Sequence, residues 1–274
     1  MLEPERIHDF LTWEGEGDIT KLLQGDAGNL LHGYSHIAHE DMEGHVKRIA
    51  KTAYDVWHYP CFQMFWFLRF ELSRSSVYHS ILQAVKSGKV LADLGCAFGQ
   101  DLRYLTYQGA PSENLVGLDL RQDFINLGYE LFNDRSTFKA RFLTQDFFAD
   151  TPAILDLLGK VDIINAGYFL HSWDWDGQLQ CSKRMIQLMS PSPGAIMTGI
   201  QFGSHATGLW STTPSGVEAG PIFLHDNDTL KTLWDQAAQE TQTSWDVQIT
   251  VEEDPECTSF DPQGCHLRWV VTRK

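Results

Sequence analysis

Apolar positions change period along the chain, and the change predicts its architecture. Met42, Val46, Ile49, Ala53 and Val56 recur at steps of four and three, one face of an amphipathic helix that Pro60 stops. Val77, Ile81, Leu82 and Val85 form a second such stripe, with Ser73 to Ser76 as candidate N-caps and Gly88 as C-cap. From residue 90 the pattern becomes an alternation of short apolar strands and helices. Strands are predicted at 90–94, 115–120, 138–144, 161–167 and 195–201, with the clearest helices at 123–132 and 178–189. That alternation implies a parallel sheet. After a helix near 228–239, two β-rich runs at 245–252 and 265–272 follow without a crossover between them, so they should pair antiparallel at the sheet edge. The first forty residues, broken by Gly15, Gly17, Gly25, Gly28 and Gly33, suggest an irregular arm whose fold is not legible. The expected organisation is an N-terminal arm and helical cap over residues 1–88, followed by an α/β, Rossmann-like domain over 89–274.

The first strand runs straight into a glycine turn, VLADLGCAFGQD at 90–101. Glycines let a ligand approach the backbone, and the helix that follows offers unpaired N–H groups. Asp93, two residues before Gly95, would repel a pyrophosphate, and Ala97 stands where a dinucleotide fingerprint needs its middle glycine. The turn therefore asks for a ligand with cationic groups and no phosphate. S-adenosylmethionine, with an ammonium and a sulfonium, meets that description. Asp119 and Asp146 close the next two predicted strands at intervals of 26 and 27 residues, about one βα unit each. All three acids should therefore emerge on one sheet edge. Asp119 can accept from both ribose hydroxyls, Asp146 from an adenine amino group with Phe147 against the ring, and Asp93 with the backbone of Gly95 and Gly99 is left for the methionine end. Cys96 in the turn and Asn165-Ala166 at the end of the fourth predicted strand complete the candidate cofactor set.

Three segments, VLADLGCAFGQD, GAPSENLVGLDLRQDFINLGYELF and VDIINAGYFLHSW, resemble the small fungal S-adenosylmethionine-dependent methyltransferases of polyketide and meroterpenoid pathways, over roughly residues 54–250. The resemblance implies a class I, Rossmann-like methyltransferase with a seven-stranded, mostly parallel sheet. It also implies O-methylation of a carboxylate or acidic hydroxyl, and cofactor contacts from Asp119, Leu120, Asp146 and Phe147. The chain departs from the family pattern in WHYPCFQMFWFLRF at 57–70 and in the loop GSHATGLWSTTPSG, the two places where substrate should lie.

On the substrate side, Tyr54, Trp57 and Trp66 stand out in an unusually aromatic N-terminal segment, and Arg69 is a candidate for a substrate carboxylate or for an ion pair with Glu71 or Asp55. His171, just after the fourth predicted strand, can act as general base or orient an acidic oxygen. Trp173 beside it can wall the pocket, and His205 is the second histidine at that edge. Core packing is the competing reading for each of these.

Charge then narrows the partners. With 21 basic and 36 acidic residues the formal charge is −15, which disfavours nucleic acid and anionic membranes and leaves a small molecule. The strand-4 sequence NAGYF lacks the N/D-P-P-Y/F motif of amino-group methylation, and Cys61 precedes the cofactor motif, unlike the nucleophile of cytosine methyltransferases. Five scattered cysteines without ligand spacing, a charged N-terminus and no long apolar run point to a soluble, cytoplasmic protein with reduced thiols and no metal. A homodimer is compatible with the sequence but not demanded by it. Two rivals remain beside the O-methyltransferase: a non-catalytic cofactor-binding regulator of secondary metabolism, and a nicotinamide dehydrogenase, which Asp93 and the terminal hairpin oppose.

Overall fold

The computed structural model describes Trp13 and residues 17–210 and 221–274. The remainder of the N-terminal arm and the distal part of the GSHATGLWSTTPSG loop lie outside the described residues. Seven strands form one sheet: β1 (Leu91–Leu94), β2 (Leu115–Asp119), β3 (Arg141–Thr144), β4 (Ile163–Asn165), β5 (Ile196–Ser204), β8 (Trp245–Glu252) and β9 (Gly264–Arg273). β6 (Gly208–Trp210) and β7 (Ile222–Leu224) pair separately as a small hairpin. The main order is β3-β2-β1-β4-β5-β9-β8, with β1 to β5 parallel and β9 antiparallel to both β5 and β8. This is the expected parallel sheet finished by an antiparallel hairpin.

Alternation along the central strands divides two cores. Leu91, Leu115 and Ile163 face the N-terminal helices, while Ala92, Val116, Leu118 and Ile164 face the helices Trp175–Leu188 and Asn227–Glu240. Both faces are covered, so β1 and β2 are buried throughout and read as apolar runs. The stripe predicted at 42–56 lies on the helix His39–Val56, and Met42, Val46, Ile49 and Ala53 are all buried. Pro60 opens the next short helix as its first residue, a position where a missing N–H costs nothing. The helix Tyr78–Lys86 starts differently from expectation. Its N-cap is Val77 with no side-chain bond, because Ser73 has been drawn into a 3-10 turn at Glu71–Arg74. Gly88 does end it, at φ +100°. Residue 88 also falls between that helix and β1, and residues on both sides of it enter the same apolar cluster.

Short helices Thr20–Leu23 and Asp26–Gly33 occupy the arm's described part. A further helix, Pro255–Phe260, interrupts the hairpin between β8 and β9. All five cysteines are unpaired thiols. Among the described residues no helix is long and apolar enough to cross a membrane, and no His, Cys, Asp and Glu side chains converge as metal ligands.

Candidate functional site

At the carboxyl end of β1 the backbone enters the left-handed region at Gly95, Ala97 and Gly99, with φ of 66°, 46° and 61°. The N–H groups of Gly95 and Cys96 both donate to the Leu118 carbonyl, fastening the turn to β2. A Cβ on Gly95 would come within 2.8 Å of the Phe169 ring, and one on Gly99 within 2.9 Å of the Arg103 guanidinium. Arg103 holds the turn from beneath. It is fully buried, donates to the Phe98 carbonyl at 2.6 Å, and makes a two-pronged ion pair with buried Asp134 at 2.7 and 2.9 Å. Four rings, Tyr129, Phe132, Phe138 and Phe142, enclose it.

Asp119 closes β2 at the same edge. Its two carboxylate oxygens accept from the N–H groups of Ala97, at 2.8 Å, and Arg121, at 2.9 Å, which leaves each a further lone pair. Beside it Leu120 is 66% exposed. At the end of β3 the exposed Asp146 accepts from the Phe148 N–H, Phe147 is buried, and Phe148 is 36% exposed. Two acids flanked by bare apolar side chains suit a ligand that combines hydroxyl and amino donors with a flat ring, so the residues fit adenosine.

Deeper in, Asp93 is buried and accepts a 2.7 Å bond from the Asn165 amide. Asp101, in the first turn of the helix Gln100–Tyr107, is buried too and accepts from the Leu72 N–H at 3.2 Å. Burial raises both carboxyl groups, and their mutual repulsion adds to the rise of Asp93; Asp93 lies well above the usual carboxylate range and Asp101 is pushed up to about 7. Cys96 and Ala166 are buried alongside.

The other half of the edge is aromatic. Trp66, Tyr168, His171, Phe202, Phe260 and His266 form one cluster with ring centroids 5.0–6.3 Å apart. The Phe202 N–H donates to His171 Nδ1 at 3.1 Å. A backbone N–H can only donate, so Nδ1 is the acceptor and the proton of neutral His171 sits on Nε2. Burial, with His266 close by, lowers the imidazole to about 4. Tyr168 is held at φ 52°, a strained conformation for a non-glycine residue, and its hydroxyl lies 3.3 Å from His266 Nε2.

The remaining substrate-side candidates separate. Trp66 donates from its indole to Glu256 at 3.0 Å, and Arg69 pairs with that same carboxylate at 2.6 and 2.9 Å, not with Glu71 or Asp55. Trp57 lies under the Arg121 guanidinium, 3.8 Å from its centroid, on the Asp119 side. Tyr54 is buried in the cap, with Trp13 and His58 against it. Trp173 packs on Phe148 and Phe169, nearer the Asp146 end than His171 is. His205 is exposed, bonds Glu253 at 2.9 Å, and lines a pocket of about 200 Å³ with Asp226, Asn227 and Asp228.

Sequence reasoning passed over Asp101, Arg103, Tyr168, Phe202, Glu256 and His266. Asp101 and Tyr168 stand inside quoted motifs, where neither pattern nor spacing marks them. Glu256 and His266 sit in no motif and reach the site only through the fold.

The comparisons agree with this geometry. The model of a family described as the meroterpenoid methyltransferase N-terminal domain matches residues 14–68. O-methyltransferase phiE of a fungal species is 40% identical over 229 residues, 83% of this chain and 75% of that protein. The Asnovolin E/Chermesin D methyltransferase nvfJ of Aspergillus novofumigatus is 34% identical over 249 residues, 90% of this chain and 88% of that one. Among solved structures, the N-terminal domain of EvdMO1, determined with S-adenosylhomocysteine bound, shares the fold with a TM-score of 0.50 at 13% identity, covering 72% of this chain and 79% of that one. With relatives 34–40% identical aligned across most of its length, the chain belongs to this family of fungal methyltransferases.

Proposed function

We propose that the enzyme transfers the methyl group of S-adenosylmethionine to an oxygen, a carboxylate or acidic hydroxyl, of a polyketide- or meroterpenoid-type metabolite. The observation that carries the reading is the Asp119 carboxylate, bonded to the turn's own Ala97 N–H and flanked by exposed Leu120. Asp119 takes the ribose hydroxyls; Leu120, Asp146 and Phe147 take the adenine. Asp93, Gly95, Cys96, Gly99, Asn165 and Ala166 surround the methionine end. The cofactor, when bound, supplies a methyl group already activated on a sulfonium. The chain's own work is therefore alignment and exclusion of water.

His171 then acts as a donor. With Nδ1 occupied by the Phe202 N–H, its Nε2–H is left for the acceptor oxygen, and at neutral pH it holds no spare lone pair for a proton. This favours an acceptor that arrives ionised, a carboxylate, over one that needs a base. Trp66, in contact with the same cluster, walls the acceptor, and the Arg69–Glu256 pair secures that wall instead of meeting a substrate charge. Tyr54, Trp57, Trp173 and His205 have weaker support as acceptor contacts. The cap over residues 1–88 is read as the roof of this pocket. Five unpaired thiols suit a cytoplasmic setting, and the acidic charge suits a small-molecule partner without nucleic acid. A homodimer is not required, since every residue invoked comes from one chain.

Calorimetry should give micromolar binding of S-adenosylhomocysteine and none of NADH. Incubation with methyl-labelled cofactor and an extract of polyketide acids and pyrones should yield a labelled methyl ester. Binding without any labelled product would instead favour the non-catalytic regulator, and NADH binding would sink the cofactor assignment.

A further inference from the structure

We propose that the cofactor's ammonium displaces a proton that the folded protein keeps between Asp93 and Asp101, so that cofactor binding and proton release are one event. The inference rests on the methyl-donor reading above and concerns how that site is charged before the ligand arrives.

Two buried carboxylates lie near enough for the charge of Asp101 to act on Asp93, with little to offset either. Among the described residues Asp93 has one donor, the Asn165 amide, and Asp101 has one, the Leu72 N–H. Neither has a lysine or arginine within ion-pair distance among the described residues. The charged groups facing Asp93 are Asp101 from the helix after the turn and Asp119 from β2, and both disfavour a second negative charge; the Cys96 thiol beside them is neutral, its ionisation itself opposed by Asp93. Facing Asp101 are Glu71 from the cap and Arg268 from β9. Arg268 is already bound to Glu71 at 2.8 Å and to Glu252 at 2.7 Å, so its charge is largely spent. Two like charges in a buried site do not both ionise freely, and the pair retains a proton near neutral pH.

The glycine turn brings the methionine end of the ligand to this place. An ammonium beside the pair supplies the missing positive charge, and the retained proton leaves to solvent. The linkage has a definite sign. A proton must be lost on binding, so affinity rises with pH until the free pair is fully ionised. Asp101 also gains, because its bond from Leu72 N–H becomes charge-assisted, which ties occupancy of the cofactor site to the cap at Glu71–Arg74.

The test is calorimetry of S-adenosylhomocysteine with the full-length wild-type protein in buffers of low and high ionisation enthalpy. At about pH 6.5 the enthalpies should differ by the amount expected for about one proton released, and Kd should tighten roughly tenfold between about pH 6 and pH 7. 5′-Methylthioadenosine, which lacks the amino-acid tail, should bind with no proton released. Asp101→Asn, which removes one member of the pair while keeping an acceptor for the Leu72 N–H, should move the midpoint of the pH dependence to lower pH. A buffer-independent enthalpy with a flat Kd overturns the proposal, as does equal proton release on binding 5′-methylthioadenosine. The wild-type measurements decide it even if the variant does not fold. If S-adenosylhomocysteine fails to bind at every pH, the methyl-donor reading itself falls, which is a different result from pH-independent binding.

Discussion

The edge proposed for adenosine and the edge proposed for the acceptor are built by different means. The first is local: β1, its turn, β2 and β3 deliver Asp93, Gly95, Asp119 and Asp146 in chain order, the three acids at or just past the ends of three successive strands. The second is assembled from distant stretches. Trp66 reaches Glu256 across 190 positions, Tyr168 reaches His266 across 98, and Phe202 reaches His171 across 31. A local edge is fixed by turn geometry and survives change elsewhere. An assembled edge can be altered at any of its contributors, which suits the part of a methyltransferase that must differ from one substrate to the next.

The largest expected effect tests how firmly the local edge is set. Arg103 is buried, paired with Asp134 and bonded to the turn, so Arg103→Ala leaves an uncompensated carboxylate in the core. It should cost about 3–5 kcal/mol of stability, read by urea denaturation. A loss below about 1 kcal/mol, the range of exposed pairs, would mean that the turn needs no such support.

Asp119→Ala comes next. The variant removes the acceptor for the Ala97 N–H and the one proposed for the ribose, and S-adenosylhomocysteine affinity should fall by about 1.5–3 kcal/mol. Unchanged affinity in calorimetry would take Asp119 out of the ribose role and with it the main support for the adenosine edge.

Legibility follows the same division. The parallel strands, the terminal hairpin and the strand-end acids were readable because period and spacing report local structure directly. Asp101 was visible in the motif but carried no signal, since its interest comes from its burial and from the Leu72 N–H that bonds it. The Arg69 partner could not be read, because the helix Pro255–Phe260 that carries Glu256 interrupts what the sequence presented as a plain connection between two strands. The N-cap expected at Ser73–Ser76 failed for a related reason: Leu72 is drawn in to meet Asp101, Ser73 enters the tight turn, and the Ser75 hydroxyl turns to Thr198. Tertiary contacts overrode local propensity where cap meets sheet.

The smallest expected effect concerns His171, the residue proposed to meet the acceptor oxygen. If its Nε2–H only orients an oxygen that is already ionised, His171→Ala should lower kcat about tenfold, or about 1.4 kcal/mol, with less change in KM. His171→Gln should recover much of the rate, because its amide oxygen can accept from the Phe202 N–H while its NH₂ donates to the acceptor. Rescue by glutamine separates this from general-base action, because an amide cannot take up a proton near neutral pH. Burial lowers His171 to about 4, from 6.5, so it stays neutral from about pH 6 upward and its contribution to the rate should be flat there. The same depression fixes the acid limit of the assay. The unfolded chain takes up this proton before the folded one does, so stability falls as pH drops from 6.5 toward about 4, and buried His225, also lowered to about 4, adds to the loss. Rates should therefore be compared above about pH 6. A wild-type limb near the histidine pKa that vanishes in His171→Ala, with no rescue by glutamine, would return His171 to the role of base and point to a hydroxyl acceptor in place of a carboxylate.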